Sequence, residues 1–95
     1  MKIEDIEFEE SCNACPESYK LMYENNEIGF MRLRWGILEL TAGKYVSIFS
    51  QTESNIYVWE HNFEDEWKGM FNSDDECKEY QQICAEKLIQ YYNGK

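Results

Sequence analysis

Apolar and polar residues alternate through most of the chain and switch, near its end, to a spacing of three and four, so strands followed by one helix are expected. Over residues 3–9, Ile6 and Phe8 face one way while Asp5, Glu7 and Glu9 face the other, the period of a half-buried strand. Ser11 to Glu17, with Pro16 and small polar residues, reads as a loop. Tyr19, Leu21 and Tyr23 then alternate with Lys20 and Met22 in a second strand. Glu24, Asn25 and Asn26 supply a turn, because asparagine tolerates left-handed backbone angles. Ile28 to Trp35 completes a hairpin that Gly36 ends, and Ile37 to Leu40, Tyr45 to Phe49 and Asn55 to Trp59 are three further β-prone runs. Their connectors, Ala42-Gly43-Lys44 and Gln51 to Ser54, are short enough to favour antiparallel pairing.

Ser73-Asp74-Asp75-Glu76 has the form of a capping box, in which the serine hydroxyl accepts from the Glu76 amide and the glutamate accepts from the Ser73 amide. The three acids suit the positive end of a helix. Cys77, Tyr80, Cys84, Leu88 and Tyr91 recur at helical steps, Ile83 widens the stripe, and Asn93-Gly94 supplies a stop. The expected fold is therefore α+β, an antiparallel meander sheet of five or six strands with one C-terminal helix packed on its apolar face. Ninety-five residues make one domain, 1–95, and no repeat, linker or low-complexity stretch divides it.

Charge changes the picture more than composition does. Nineteen acids against nine bases leave a formal net charge of −10. The excess lies in two places: residues 1–10 hold one lysine against five acids, residues 60–79 hold two lysines against eight, and the remaining charges cancel. Asp5, Glu7 and Glu9 are expected to form one row along a strand. Glu60, Glu64, Asp65 and Glu66 lead through Trp67 to the acidic start of the helix. Such rows approach the charge density of a nucleic-acid duplex, which carries a charge every ~1.7 Å of axis. The balance argues against nucleic acid or an anionic membrane as partner and favours a basic protein surface. A purely solubilising surface normally intersperses the two signs, whereas these single-sign stretches flank Phe63 and Trp67.

Candidate chemistry is sparse. Cys12 and Cys15 have the C-x-x-C spacing of a zinc knuckle or redox pair, but Pro16 and Glu17 follow where a redox motif opens a helix. Cys77 and Cys84 lie ~10.5 Å apart along a helix axis, too far to complete a zinc site together. No metal site and no cofactor is expected, and Cys77 and Cys84 are read as core thiols. One histidine, His61, and no glycine-rich phosphate loop give catalysis little to work with, so no enzyme activity is expected. Arg32 and Arg34 project from one face of the third strand, either as an anion clamp or, more simply, paired with carboxylates such as Glu39 on the neighbouring strand. No apolar run approaches the ~20 residues of a membrane helix, and the acidic Met1 to Glu10 is unlike a signal peptide, so a cytoplasmic protein with reduced thiols is expected.

The stretch Cys15-Pro16-Glu17-x-Tyr19, then Glu24-Asn25 and Ile28-Gly29-Phe30-x-Arg32-Leu33-Arg34-x-Gly36, resembles a pattern in small proteins of phages and bacterial mobile elements. The resemblance covers about a quarter of the chain and implies the same hairpin but no activity. By analogy of class it points toward counter-defence inhibitors of the anti-CRISPR kind, many of which are acidic and occupy nucleic-acid grooves. Two functions are therefore expected. In the first, a non-enzymatic inhibitor steers onto the nucleic-acid-binding surface of a host defence protein through Asp5, Glu7, Glu9, Glu64, Asp65 and Glu66, anchored by Phe63 and Trp67. In the second, a small-molecule sponge takes a nucleotide immune signal in a pocket of Tyr19, Arg32, Arg34 and Trp35, closed by a second copy of the chain in a homo-oligomer.

Overall fold

Alternation within each strand sorts the apolar side chains to one side, and five such strands lie in chain order as an antiparallel meander. The computed structural model describes residues 2–12, 17–43 and 56–94. The strands are β1 (Glu7–Cys12), β2 (Glu17–Tyr23), β3 (Asn26–Arg34), β4 (Ile37–Ala42) and β5 (Ile56–Asn62), in the sheet order β1-β2-β3-β4-β5. A single helix, α1 (Asp74–Asn93), lies across one face, so the architecture is the expected α+β. The expected run Tyr45 to Phe49 and the connector Gln51 to Ser54 lie outside the described residues.

Register decides which side chains meet α1. The rows Tyr19–Met31–Leu40–Trp59 and Leu33–Leu38–His61 face the helix, and Leu21, Met31, Leu33, Leu38 and Leu40 are fully buried there against Cys84, Ala85 and Leu88. Each such leucine contributes about 2 kcal/mol by leaving water. The opposite face carries the rows Ser18–Arg32–Glu39–Glu60 and Glu9–Lys20–Phe30–Thr41–Tyr57. Gly29 lies under Leu88, where a Cβ would come within 2.6 Å of a methyl carbon, so the helix settles onto the sheet at that point. The Tyr92 hydroxyl donates to the Ile28 carbonyl at 2.6 Å and ties down the far end of α1.

Local signals fail at three places. Residues 3–5 form a 3₁₀ helix rather than the start of the first strand, because the Asp5 amide donates to the Lys2 carbonyl and the Asp5 carboxylate accepts from the Lys2 amide, both at 3.0 Å. Ser11 and Cys12 complete β1, and Glu17 already belongs to β2. At the helix start Ser73 caps the Glu76 amide as expected, but the Glu76 carboxylate reaches the Asn72 amide at 2.9 Å instead of that of Ser73.

Two tight turns share one device. Glu24 and Asn25 both take positive φ between β2 and β3, and Trp35 and Gly36 do so between β3 and β4, which suits the twist of a two-residue hairpin loop. A Cβ on Gly36 would overlap the Asp65 carbonyl group, and its φ of +74° is one that side chains disfavour. Gly36→Ala should therefore cost at least ~2 kcal/mol in urea denaturation, whereas Gly94→Ala at the helix end should cost under ~1 kcal/mol.

Candidate functional site

The start of β2, the β3–β4 turn, the end of β5 and the start of α1 all lie at one end of the sheet, and residues 63–72 cross that end from β5 to the helix. This strap is fastened by main-chain bonds. The Phe63 amide donates to the Gly36 carbonyl, the Gly36 amide to the Lys68 carbonyl and the Glu17 amide to the Gly69 carbonyl, each at 2.8 Å. Within it, the Asn62 side chain accepts from the Glu64 amide at 2.7 Å and Asp65 accepts from the Trp67 amide at 3.1 Å, which lets Glu64 hold a φ of +60°.

Two concavities flank the strap. The first is an open groove of about 470 Å³ lined by Trp35, Ile37, Asn62, Glu64, Asp65, Glu66 and Trp67. Trp35 is 66% exposed and Trp67 81% exposed. None of Glu64, Asp65 and Glu66 forms an ion pair with a described residue; the described pairs are Arg32–Glu39 at 3.7 Å and Lys68–Glu76 at 2.9 Å. The second is a cavity of about 320 Å³ whose lining includes Glu10, Glu17, Tyr19, Asp74 and Cys77. At its base the carboxylate of Glu17, a residue only 8% exposed, accepts from the Tyr19 hydroxyl and from the Phe71 amide at 3.0 Å. The Cys77 thiol lies 3.3 Å from the Tyr19 oxygen and 3.6 Å from Glu17.

Burial disfavours the charged forms of Tyr19 and Cys77 in this cluster. Burial raises the Tyr19 phenol well above its ordinary value, and the bonds to Cys77 and Glu17 push in the same direction. Burial also raises the Cys77 thiol; the Tyr19 bond opposes this and the Glu17 carboxylate adds to it. Cys84, sealed in the core, is pushed up to about 12 by burial alone. A thiol kept protonated at neutral pH is a poor nucleophile and a poor metal ligand. Among the described residues no group of three or more His, Cys, Asp or Glu side chains is arranged to hold a metal ion.

The residues singled out in the sequence are regrouped. Glu7 and Glu9 lie on edge strand β1, with Glu9 across from Lys20, while Asp5 belongs to the preceding 3₁₀ helix and is not in their row. Glu64, Asp65 and Glu66 follow β5, the opposite edge of the sheet, roughly 19 Å away at ~4.8 Å per strand. Glu7 and Glu9 thus stand apart from Glu64, Asp65 and Glu66, whereas Glu10 and Asp74, one from each stretch, line the second cavity together. Phe63 is half-buried, edge-on to His61 and Tyr80 with ring centroids 4.7 and 4.9 Å away, and the Lys68 ammonium lies 5.0 Å from its ring centre. Its ring therefore serves the fold, while Trp67 is left to solvent. Tyr19 faces the helix while Arg32 and Arg34 face the other way, so these three do not line one pocket. Trp35 instead joins Trp67 at the groove.

Comparison with protein families, curated proteins and solved structures found no match to this chain. No helix among the described residues is long and apolar enough to cross a membrane.

Glu17 escaped the sequence reading because its partners at Phe71 and Cys77 are 54 and 60 positions away. Glu17→Gln should cost about 2 kcal/mol in denaturant melts, since hydrogen bonds to a charged acceptor are lost in a buried place. In the native protein at pH 8, an Ellman titration should leave Cys84 unreacted until denaturant is added, given a thiol poised near 12.

Proposed function

We propose that this chain is a non-enzymatic binding protein that docks its strand-end groove onto a basic protein surface of the kind that holds nucleic acid. The observation that carries the reading is Trp35. Its φ of +57° is a left-handed conformation that costs a bulky residue about 1 kcal/mol, and its indole is nonetheless left largely in water beside Trp67. A fold with only its own stability to serve would place glycine or asparagine there. Paired tryptophans are strong anchors at interfaces, and their π faces attract guanidinium and ammonium groups. Glu64, Asp65 and Glu66 around them draw the same cations from a distance.

Met70, 46% exposed on the strap, lines the second cavity and not this groove. Glu7 and Glu9, on the far edge, add long-range attraction but stand outside the groove. The narrower reading, inhibition of a host defence protein by covering its nucleic-acid-binding surface, rests on the resemblance of the β2–β3 hairpin pattern to phage and mobile-element proteins.

The test is a titration with a nonaarginine peptide, read by tryptophan emission. Binding should quench or shift the indoles and should weaken by about tenfold or more when salt is raised from about 50 to about 300 mM. Glu64→Lys with Glu66→Lys, or Trp67→Ala, should weaken it by a similar factor. Affinity indifferent to salt and to all of these substitutions would overturn the proposal.

A further inference from the structure

A second, oppositely charged feature lies on the face of β3 turned away from α1. Arg32 and Arg34 stand two residues apart there, ~7 Å along the strand, so their guanidinium groups share one side of the sheet. Both are half-buried, and the Nε–H group of each is covered yet has no hydrogen-bond partner. Buried donors are satisfied in the great majority of folded proteins, and two orphans on neighbouring arginines in a chain with ten surplus negative charges are not accounted for by a shortage of carboxylates. Arg32 meets Glu39 only at 3.7 Å, through Nη2, which leaves the Nε edge of its fork unused. Arg34 has no ion pair with a described residue, and its cross-strand neighbours on this face, Ile37 and Asn62, carry no charge. The Arg32 side chain keeps 19% of its surface exposed, while its Nε is itself covered, so a ligand that bonds Nε has to displace what covers it.

We infer that Arg32 and Arg34 form a binding site for a phosphoryl group. The Nε and Nη groups of one guanidinium make a fork that a planar carboxylate saturates with its two oxygens. A tetrahedral phosphate has oxygens left for a second fork on the next outward position of the strand. Ser18, buried and directly across from Arg32, adds a hydroxyl at the inner side, and Lys20 adds a further cation on the same face. The carboxylates that share this face are Glu39 and Glu60 in the Arg32 row and Glu9 beside Lys20, while the Arg34 row has none among its described members. The bound group is therefore expected nearer Arg34. The site borders the indole groove, since Ile37 and Asn62 of the Arg34 row line that groove, but neither arginine is among its lining residues.

The experiment follows the two arginine Nε–Hε resonances in ¹H–¹⁵N spectra of the intact protein during titration with inorganic phosphate. Chloride and acetate at equal ionic strength serve as controls, and adenosine monophosphate as a second arm. Both resonances should move saturably with phosphate, and acetate should bind about tenfold more weakly or worse. Arg34→Lys keeps the charge but removes the fork and should weaken phosphate by about tenfold, while Trp67→Ala should leave it unchanged. Tighter binding of the nucleotide than of phosphate would assign the phosphoryl group to a nucleotide, and equal binding would assign it to the free ion. Resonances that stay still, or that move equally with chloride, would overturn the inference without touching the docking proposal.

Discussion

The strand ends of this sheet are closed by an irregular segment rather than by another strand or helix, and the rest of the molecule depends on that closure. Gly36 gives both its amide and its carbonyl to residues 63–72, and Glu17 gives its amide and its carboxylate. A loop that crosses a protein surface normally leaves such groups to water. Here they are satisfied by the chain itself, so the strap is held at fixed distance from the turn below it. Only a residue without a Cβ lets the turn come that close, which is why position 36 is glycine.

That closure also sorts the aromatic residues into two roles. Trp59, His61 and Phe63 alternate along β5 and onward into the strap, and they meet Tyr80 of the helix and Phe71 in one continuous set of ring contacts. These rings form the packing between α1 and β5 at this edge of the sheet. Trp35 and Trp67 come from the two segments that the strap bonds join, and both project outward. Five residues outside the strands, two of them left-handed, thus bring two indoles and three carboxylates to a single groove. In the proposed docking, the carboxylates would attract a cation over several ångströms and the aromatic faces would hold it at contact.

The same topology distributes the excess charge. Consecutive strands place Glu7 and Glu9 at one sheet edge and Glu64, Asp65 and Glu66 beyond the other, two fields whose separation lessens self-repulsion, while Glu10 and Asp74 meet at the second cavity. The helix dipole takes up part of the second field, since Asp74, Asp75 and Glu76 lie in its first turn. Glu76 is further stabilised by the Asn72 amide and by Lys68, which hold its carboxyl below the ordinary range. The arginines on the reverse face of β3 share that face with Glu9, Glu39 and Glu60.

The α+β class, the antiparallel hairpins, the helix with its serine cap and the Arg32–Glu39 pairing were all legible in the order of residues. Each rests on a period of two or of three to four, or on a neighbour a few positions away, and such patterns are properties of the local chain. The 3₁₀ turn at residues 3–5 was missed because a local carboxylate-to-amide bond outcompeted an alternation that would have suited a strand equally well. The buried Glu17 cluster, the separation of Tyr19 from the arginines, the retirement of Phe63 into an aromatic cluster and the meeting of Trp35 with Trp67 were decided only in three dimensions. Their partners lie tens of residues apart, and no periodicity records which distant backbone group will arrive beside a given side chain once the sheet has closed.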